Sequence, residues 1–268
     1  MKICILRSGS SGNCTLIENN KSYFLLDAGG MSQRRIKELL SEVNITLEDI
    51  KGLLVTHTHS DHLNYSALKV CEKSNIPVYI HAENIPFVKS SFGTALFSKL
   101  EIIPFEQTPF MINETIQIFP FNISHDAMKV TSGFSFMEST GNVFSYAADL
   151  GYFPESLVNN FRNSKIIAIE ANHDVDLLWK NPNRPYIHKK RVAGDYGHLS
   201  NNQSADAICK IVEQSQTSPE KVILCHLSKD HNSPELAKET ISGILEKRGM
   251  KLQILVAKRD ERTVFFDL

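Results

Sequence analysis

Short apolar runs, most of them closed by glycine or polar residues, recur along the whole chain. Runs of this length that are bounded by turn residues predict β-strands. We predict strands over residues 2–7, 15–18, 23–27, 52–56, 76–80, 100–105, 111–126, 133–137, 142–148, 165–171, 222–226, 252–256 and 263–266. Run 111–126 alternates apolar and polar residues, as a half-buried antiparallel strand does, whereas the continuously apolar run 52–56 predicts a buried strand.

Stretches with helical spacing of their apolar residues separate many of these strands. We predict helices over residues 32–43, 66–73, 83–91, 153–161, 184–193, 203–212 and 233–248. Each half of the chain begins with strands and continues with alternating helices and strands, and no linker or repeat of fixed period stands out. The pattern predicts an α/β (α+β) fold in a single domain, residues 1–268, built of two βα-rich halves.

The length and the charge balance limit what the chain can do. At 268 residues, of which 42% are hydrophobic, it can bury a substantial core. Its 29 basic and 30 acidic residues give a net charge of −1, so it has no global basic field that would attract nucleic acid. A polyanionic substrate must therefore be held locally or by bound metal ions. The overall charge neither supports nor excludes a nuclease.

Cysteine usage and the N-terminus indicate the compartment. The five cysteines, none in a Cys-x-x-Cys pair, are Cys4, Cys14, Cys71, Cys209 and Cys225. Their odd number and scatter argue against a disulfide framework and favour buried thiols in a reducing compartment. The first residues lack a secretory signal, and no apolar run approaches the ~18 residues of a membrane span. We expect a cytoplasmic protein with no membrane partner, and its oligomeric state stays open.

The densest group of potential metal ligands is the run His-Thr-His-Ser-Asp-His at positions 57–62, directly after predicted strand 52–56. Alternate residues of an extended chain point the same way, so His57 and His59 can converge on one ion. A turn after His59 would bring Asp61 and His62 to a second point nearby. Imidazoles suit zinc and its neighbours, and the carboxylate suits a harder ion. A polar loop that happens to be rich in histidine does not explain this ligand spacing.

Two stretches near the N-terminus have more than one interpretation. The Ser/Gly-rich loop at residues 8–13 is either a rim whose backbone N–H groups contact a substrate phosphate or a tight turn. Asp27 ends a predicted strand before Ala28 and two glycines. It either orients a ligand histidine or closes a turn.

The pattern His-x-His-x-Asp-His resembles the signature of the metallo-β-lactamase fold superfamily. This resemblance implies a four-layer αββα sandwich, with two sheets packed face to face between helices and a two-metal site at one edge of the sheets. It also implies three further ligands, a His, an Asp and a His, on later strand ends. His125, Asp149 and His226 lie at the ends of predicted strands in that order.

The resemblance assigns these residues to two metal ions. The implied ligands are His57, His59 and His125 for one ion, Asp61, His62 and His226 for the other, and Asp149 as a bridge between them. A carboxylate can share its oxygens between two cations ~3.5–4 Å apart, the usual spacing of two-metal hydrolytic sites. The implied nucleophile is a hydroxide that bridges the ions. The implied cofactors are two divalent ions, zinc first, with manganese or ferrous iron as alternatives.

His198 lies in the run Gly-His-Leu-Ser, before a predicted helix and the last ligand strand. In nuclease branches of the superfamily, a histidine in this layout protonates the leaving oxygen, and a carboxylate at the position that Glu170 resembles orients it. The alternatives for His198 are a helix cap and a metal ligand. General acid help to an alkoxide leaving group is what the metal ions do not supply. The candidate catalytic residues are Asp61, His198 and Glu170.

Seven motifs resemble the WalJ (YycJ-like) branch of the superfamily more narrowly. They are SGSSGNC, THTHSDH, HDA, ADLG, EANHD, GHLSN and HLSKDHN, spread from Ser8 to Asn232. This resemblance implies a bacterial phosphodiesterase or exonuclease that acts on DNA. The last motif departs from the pattern, because a run such as Glu-Asn-Asn is expected after its lysine. This departure concerns the substrate contacts that the resemblance implies for residues 230–232. It does not concern His226 as an implied metal ligand.

Other functions stay compatible with these residues. One is a small-molecule hydrolase on the same site, acting on a phosphodiester, a thioester or a lactone, for which an aromatic or apolar pocket beside the metal ions would be typical. Another is a redox or regulatory module, which the lack of an appended flavin domain disfavours. The basic run at residues 188–191 is either a track for a phosphate backbone or a solvated helix face.

Overall fold

The structure, a computed structural model, describes residues 1–112 and 116–268. Its strands are β1 (Lys2–Arg7), β2 (Cys14–Asn19), β3 (Ser22–Leu26), β4 (Ile50–Leu54), β5 (Val78–His81), β6 (Ile102–Phe105), β7 (Phe110–Ile112), β8 (Ile116–Ile123), β9 (Thr131–Glu138), β10 (Val143–Ala147), β11 (Ile166–Glu170), β12 (Lys221–Cys225), β13 (Gln253–Val256) and β14 (Phe266–Asp267). Its α-helices are α1 (Gln33–Ser41), α2 (Tyr65–Ser74), α3 (Ile85–Phe92), α4 (Thr94–Phe97), α5 (Val158–Phe161), α6 (Val175–Lys180), α7 (Tyr186–Val192), α8 (Asn201–Gln214) and α9 (Pro234–Lys247).

The strands form two seven-stranded sheets of similar construction. The first has the order β14-β1-β2-β3-β4-β5-β6, and the second has the order β13-β12-β11-β10-β9-β8-β7. In each sheet one half is antiparallel and the other is parallel, since β3 to β6 pair parallel and so do β10 to β13. Parallel neighbours need long crossover connections, most of which contain helices here. The predicted order of strands followed by alternating helices and strands in each half is confirmed.

Three apolar cores separate four layers. One core lies between the first sheet and helices α1 to α4, the second lies between the other sheet and helices α5, α8 and α9, and the third lies between the sheets. Strand β1 illustrates the arrangement, because Cys4 and Leu6 belong to the outer core while Ile3 and Ile5 belong to the inner one. The predicted four-layer αββα sandwich is confirmed.

Side-chain caps fix where several helices begin. Ser32, Asn64, Ser200 and Ser233 each accept the backbone N–H of the residue three positions later. Such a cap is worth roughly 1 kcal/mol. At Ser200 the side chain of Gln203 completes a capping box. The start of α8 at Asn201 is therefore fixed three residues after position 198.

The prediction of one strand over residues 111–126 is wrong. Strands β7 and β8 cover this region and pair antiparallel, with Phe110 opposite Ile118 and Ile112 opposite Ile116. The predicted strand also includes residues 113–115, which lie outside the described residues. Apolar residues recur through both strands, so the pattern alone could not separate them.

Other elements are shorter than the sequence indicates, or were not predicted. Predicted helix 153–161 is a 3-10 turn (Glu155–Leu157) followed by α5, since Pro154 has an extended backbone and helix can begin only after it. Predicted strand 263–266 is the two-residue β14. Helices α4 and α6, of four and six residues, were not predicted because they are too short to show a helical period.

The cysteines are buried thiols, as the sequence predicts. All five cysteines are buried and free. Burial raises the pKa of the Cys71 thiol to about 12, so it stays protonated near neutral pH. Across residues 1–112 and 116–268, no helix has the length and apolar character needed to cross a membrane.

Two glycines let the chain after β3 pack directly against the loop at residues 60–62. Ala28 N–H donates to His62 O (3.1 Å), and Gly30 N–H donates to Ser60 O (2.7 Å). A Cβ on Gly29 would fall well inside van der Waals contact with the backbone of Asp61 and His62. Gly30 also has a φ of +67°, which favours glycine.

We expect Gly29→Ala to lower the free energy of unfolding by about 1–3 kcal/mol, the usual cost of forcing an atom into a packed interior. Chemical denaturation monitored by circular dichroism measures the change. The matched control is Gly243→Ala in α9, where an added Cβ meets no atom within 4 Å. Alanine should raise helix stability there by roughly 0.5–1 kcal/mol. Equal stability of the two variants would contradict the tight packing at Gly29.

Candidate metal centre

Strand ends from both sheets meet at one edge of the sandwich. Strand β4 leads into His57 from the first sheet, whereas β8, β10 and β12 lead into His125, Asp149 and His226 from the second. Glu170 is the last residue of β11, which pairs parallel with β10 on one side and β12 on the other. Because parallel strands present their carboxyl ends at the same edge, these polar residues are neighbours in space.

Three polar residues of this sheet edge have left-handed backbones. Asp27, Asp149 and His226 have φ values of 58°, 62° and 55°. This conformation costs on the order of 1–2 kcal/mol for a residue with a Cβ. It turns the chain sharply, so each side chain stays at the sheet edge instead of continuing the strand. Such strain is common at functional sites.

The first group of candidate metal ligands, called here the first ligand group, consists of His57, His59 and His125. One ring nitrogen from each lies within 4.8 Å of the others. His59 Nδ1 and His125 Nε2 are 3.1 Å apart. His125 Nδ1 lies 3.1 Å from the carbonyl oxygen of Gly197, to which it donates a hydrogen bond, so the lone pair of its Nε2 is available to a metal ion.

The second ligand group consists of Asp61, His62 and His226, whose ligand atoms also lie within 4.8 Å of one another. Asp61 Oδ2 is 3.6 Å from His62 Nε2 and 3.4 Å from His226 Nε2. Behind the group, His62 Nδ1 lies 2.7 Å from Asp27 Oδ2, and His226 Nδ1 lies 2.8 Å from Glu170 Oε1. Each ring donates Nδ1–H to a carboxylate and presents Nε2 to the group.

Asp149 lies between the two groups and is 2% exposed. Its Oδ2 is 2.7 Å from His62 Nε2. Its Oδ1 is 3.6 Å from His125 Nε2 and 3.4 Å from His226 Nδ1. One carboxylate therefore faces both groups, which is the arrangement needed to bridge two cations.

The donor atoms suit metal ions better than internal hydrogen bonding. His57 Nε2 is buried and has no hydrogen-bond partner in the described part of the chain. A buried polar atom without a partner costs about 1–3 kcal/mol, unless a ligand uses its lone pair. A solvated histidine-rich loop would leave the rings exposed, whereas His57 and His62 are fully buried. Imidazole nitrogens and carboxylate oxygens are ligands of divalent first-row metals.

Asp27 anchors the second group through several hydrogen bonds. Its Oδ1 accepts the backbone N–H of Thr56 (2.9 Å), and its Oδ2 accepts the Thr56 hydroxyl (2.8 Å) as well as His62 Nδ1–H. Asp27 is fully buried, so each of these bonds lies in a medium of low polarity. Of the two roles that the sequence left open, the structure supports the orientation of a histidine.

Glu170 holds two histidines with one oxygen. Its Oε1 accepts from His226 Nδ1 (2.8 Å) and from His198 Nδ1 (2.9 Å). Its Oε2 accepts the backbone N–H groups of Leu150 and Leu199, both at 3.1 Å. Four hydrogen bonds thus fix a fully buried carboxylate that connects a ligand group to His198.

Buried charges shift the pKa values of the site in opposite directions. Burial disfavours ionised Glu170, but the adjacent His198 and His226 outweigh it and lower the pKa of Glu170 to about 2. Burial also disfavours charged His226, yet the carboxylates of Asp149, Asp61 and Glu170 raise its pKa to about 10. The carboxylates are therefore ionised and require positive charge beside them. Metal ions can supply this charge, since metal binding displaces protons from ligand histidines.

Sequence reasoning missed two polar residues that support the ligands. The Thr56 hydroxyl lies 3.0 Å from His57 Nδ1 and 3.2 Å from His62 Nδ1. Asn13 Nδ2 lies 2.9 Å from His62 Nε2 and 3.4 Å from Asp61 Oδ2. The Ser/Gly-rich loop forms a tight turn, closed by Gly12 N–H to Gly9 O at 2.9 Å, which delivers Asn13 to the site. The adjacency of Thr56 to His57 was the one available signal for the threonine.

Comparisons with known proteins agree with this geometry. Residues 23–227 match the family model described as a beta-lactamase superfamily domain. The chain is 32% identical to exodeoxyribonuclease WalJ of Streptococcus pneumoniae over 240 residues, which cover 90% of this chain and 86% of that protein. It is 28% identical to exodeoxyribonuclease YycJ of Bacillus anthracis over 251 residues, covering 91% and 89%. The crystal structure of the metallo-beta-lactamase fold protein YhfI from Bacillus subtilis superposes with a TM-score of 0.71, 14% identity and 99% coverage of both chains.

These findings assign the fold and the general chemistry. The family model spans most of the chain and includes both ligand groups. The two sheets with flanking helices and the buried His/Asp cluster are the features that the sequence resemblance implied. The chain therefore belongs to the metallo-β-lactamase superfamily and is a metal-dependent hydrolase of that fold.

Proposed function

We propose that this hydrolase cleaves phosphodiester bonds and acts on DNA as an exonuclease. The observation that carries the proposal is the Glu170–His198 pair beside the two ligand groups. Cleavage of a nucleic acid backbone releases an alkoxide, which needs a proton donor that metal ions do not supply. The names of the two relatives described above, both exodeoxyribonucleases, support DNA as the substrate.

The proposed metal ligands follow the two groups. They are His57, His59 and His125 for one ion, Asp61, His62 and His226 for the other, and Asp149 between them. Bound ions would polarise the phosphoryl group and activate water for attack near neutral pH. Zinc is the first candidate because nitrogen ligands predominate, and manganese and ferrous iron remain alternatives because this donor set accepts several first-row ions.

The chain itself positions the reacting groups. Asp27 and Glu170 fix the rings of His62 and His226, so their lone pairs have set directions. Asn13 holds Asp61 from the other side. Asp61 thereby contributes to catalysis as an oriented carboxylate in the second group.

His198 is the proposed proton donor, and Glu170 positions it. The side chain of His198 is 14% exposed, whereas those of His62 and His226 are 1% exposed, so a substrate can reach His198 more readily. Its Nδ1–H donates to Glu170, which leaves Nε2 as the nitrogen that exchanges a proton with the leaving oxygen. A helix cap is not its role, since Ser200 caps α8.

We expect the protein loaded with zinc or manganese to remove nucleotides from one end of end-labelled single- or double-stranded DNA, and a chelator to abolish the reaction. Gel analysis of the products gives the direction of digestion. Asp149→Ala should abolish hydrolysis, because it removes the carboxylate that faces both groups. The matched control is Asp206→Asn on α8, an exposed carboxylate paired with Arg248, which should retain wild-type activity.

Two outcomes would contradict this scheme. Full activity of Asp149→Ala would exclude the proposed two-metal site. Turnover of bis-p-nitrophenyl phosphate with DNA left intact would point to a small-molecule phosphodiesterase. If both substrates remained intact, thioesters and lactones would be the next substrates to assay.

His198→Ala should lower kcat on DNA by about 10²–10⁴-fold, the usual contribution of a general acid. On bis-p-nitrophenyl phosphate the loss should be under 10-fold, since nitrophenolate is a good leaving group and needs little protonation. Metal content, measured by atomic emission, should stay unchanged. Equal losses on both substrates, or loss of a metal ion, would assign His198 a different role.

Asp27→Asn should weaken metal binding by about 10–100-fold, because it removes the carboxylate that orients His62 without removing a ligand. Competition with a chromophoric chelator measures the affinity, and activity should recover at saturating metal. Asp206→Asn again serves as the control. Unchanged metal affinity in Asp27→Asn would show that the hydrogen bond to His62 has only a structural effect.

A further inference from the structure

Exposed apolar side chains are concentrated in one segment beside the metal centre. Of the eleven large apolar residues that are exposed in the described chain, six lie between positions 175 and 196. They are Val175, Leu177, Trp179, Tyr186, Ile187 and Tyr196. The segment contains α6 and α7 and connects β11 to α8. Clusters of exposed apolar groups mark interaction sites more often than isolated ones do.

The aromatic rings of this surface are held in place. The ring centroids of Trp179 and Tyr186 are 5.9 Å apart. The buried Lys189 donates from Nζ to the carbonyl oxygen of Trp179 (2.8 Å), which ties α7 to α6. Lys190 Nζ lies 5.9 Å from the centroid of Tyr186. The arrangement presents two aromatic side chains and a cation on one supported surface.

The same segment is basic in a chain that is nearly neutral. Residues 174–196 contain five lysines and arginines against three aspartates, while the whole chain has a net charge of −1. Arg184 pairs with Asp230 and Arg191 pairs with Asp126, and all four side chains are at least 28% exposed. Exposed ion pairs contribute little free energy, so these guanidinium groups can exchange their partners for a phosphate.

The surface begins at the metal centre. Asp126, the partner of Arg191, directly follows His125 in the chain. Its backbone N–H donates to the carbonyl oxygen of Tyr196 (3.0 Å). Arg191 lies five positions after Tyr186 in α7, a rise of about 7.5 Å. That distance corresponds to roughly two nucleotides of a stacked strand.

We infer that α6, α7 and the loop at residues 194–197 bind the single-stranded part of a DNA substrate that leads away from the metal centre. Bases stack on Trp179 and Tyr186, and phosphates contact Lys190 and Arg191. Lys190, which makes no ion pair in the described chain, and the exchangeable guanidinium groups of Arg184 and Arg191 favour a polyanion over a second copy of the nearly neutral chain. This inference rests on the proposed function, and it adds a recognition surface outside both ligand groups.

Trp179 is the only tryptophan of the chain, so its fluorescence reports on this surface directly. We expect oligo-dT to quench that fluorescence in chelator-treated protein, in which hydrolysis cannot occur. Tyr186→Ala should raise the Kd by about 5- to 100-fold, the range for loss of one stacking contact. Lys190→Gln should lower the slope of log Kd against log salt concentration by about 0.7, the value for one phosphate contact on a single strand.

The matched control is Val264→Ala, which truncates an equally exposed apolar side chain at the far end of the sequence. It should leave the Kd unchanged. One outcome is that the metal-loaded protein digests DNA although oligo-dT does not quench Trp179 and Tyr186→Ala keeps the wild-type kcat/KM. In that case the inference is wrong and the proposed function stands. If sedimentation shows a dimer that Ile187→Asp dissociates, the surface is an interface between copies and the inference is overturned. Quenching without any DNA digestion would support the surface and reject the proposed nuclease.

Discussion

The site depends on the burial of negative charge against histidine rings. Asp27, Asp149 and Glu170 are each no more than 2% exposed, and each contacts at least one imidazole. A buried carboxylate is very costly unless it is paired and hydrogen-bonded. The Asp149–His62 pair joins the two sheets, and it forms only when strand ends from both sheets meet at one edge. The candidate ligands therefore reach their positions only when the two sheets of the sandwich pack together.

Asp27 and Glu170 perform the same task from opposite sheets. Asp27 follows β3 and binds Nδ1 of His62, whereas Glu170 ends β11 and binds Nδ1 of His226. Each bond leaves the Nε2 lone pair for a metal ion. Glu170 differs in that it also binds His198. Metal binding and the proposed proton transfer thus share one carboxylate, so a change in one affects the other.

The surroundings of the site divide into a tightly packed part and an exposed part. On the side of the first sheet, the chain after β3 packs backbone against backbone on the ligand loop, which leaves no room for a side chain at Gly29. On the side of the second sheet, the segment between β11 and α8 presents exposed aromatic and basic groups. The first region fixes the positions of the candidate ligands, and the second belongs to the proposed recognition surface.

The sequence by itself determined most strands, the four-layer fold through its resemblance, and the seven residues that converge at the site. Short strands and closely spaced ligand motifs can be predicted from neighbouring residues alone. It did not separate β7 from β8, and it could not detect α4, α6 or the roles of Thr56 and Asn13. Only the tertiary structure showed that Asp27 holds His62 and that Glu170 holds His226 in addition to His198, because such pairs join residues that are distant in sequence. Periodicity is a local property, whereas hydrogen-bond partners at a sheet edge depend on how the whole chain packs.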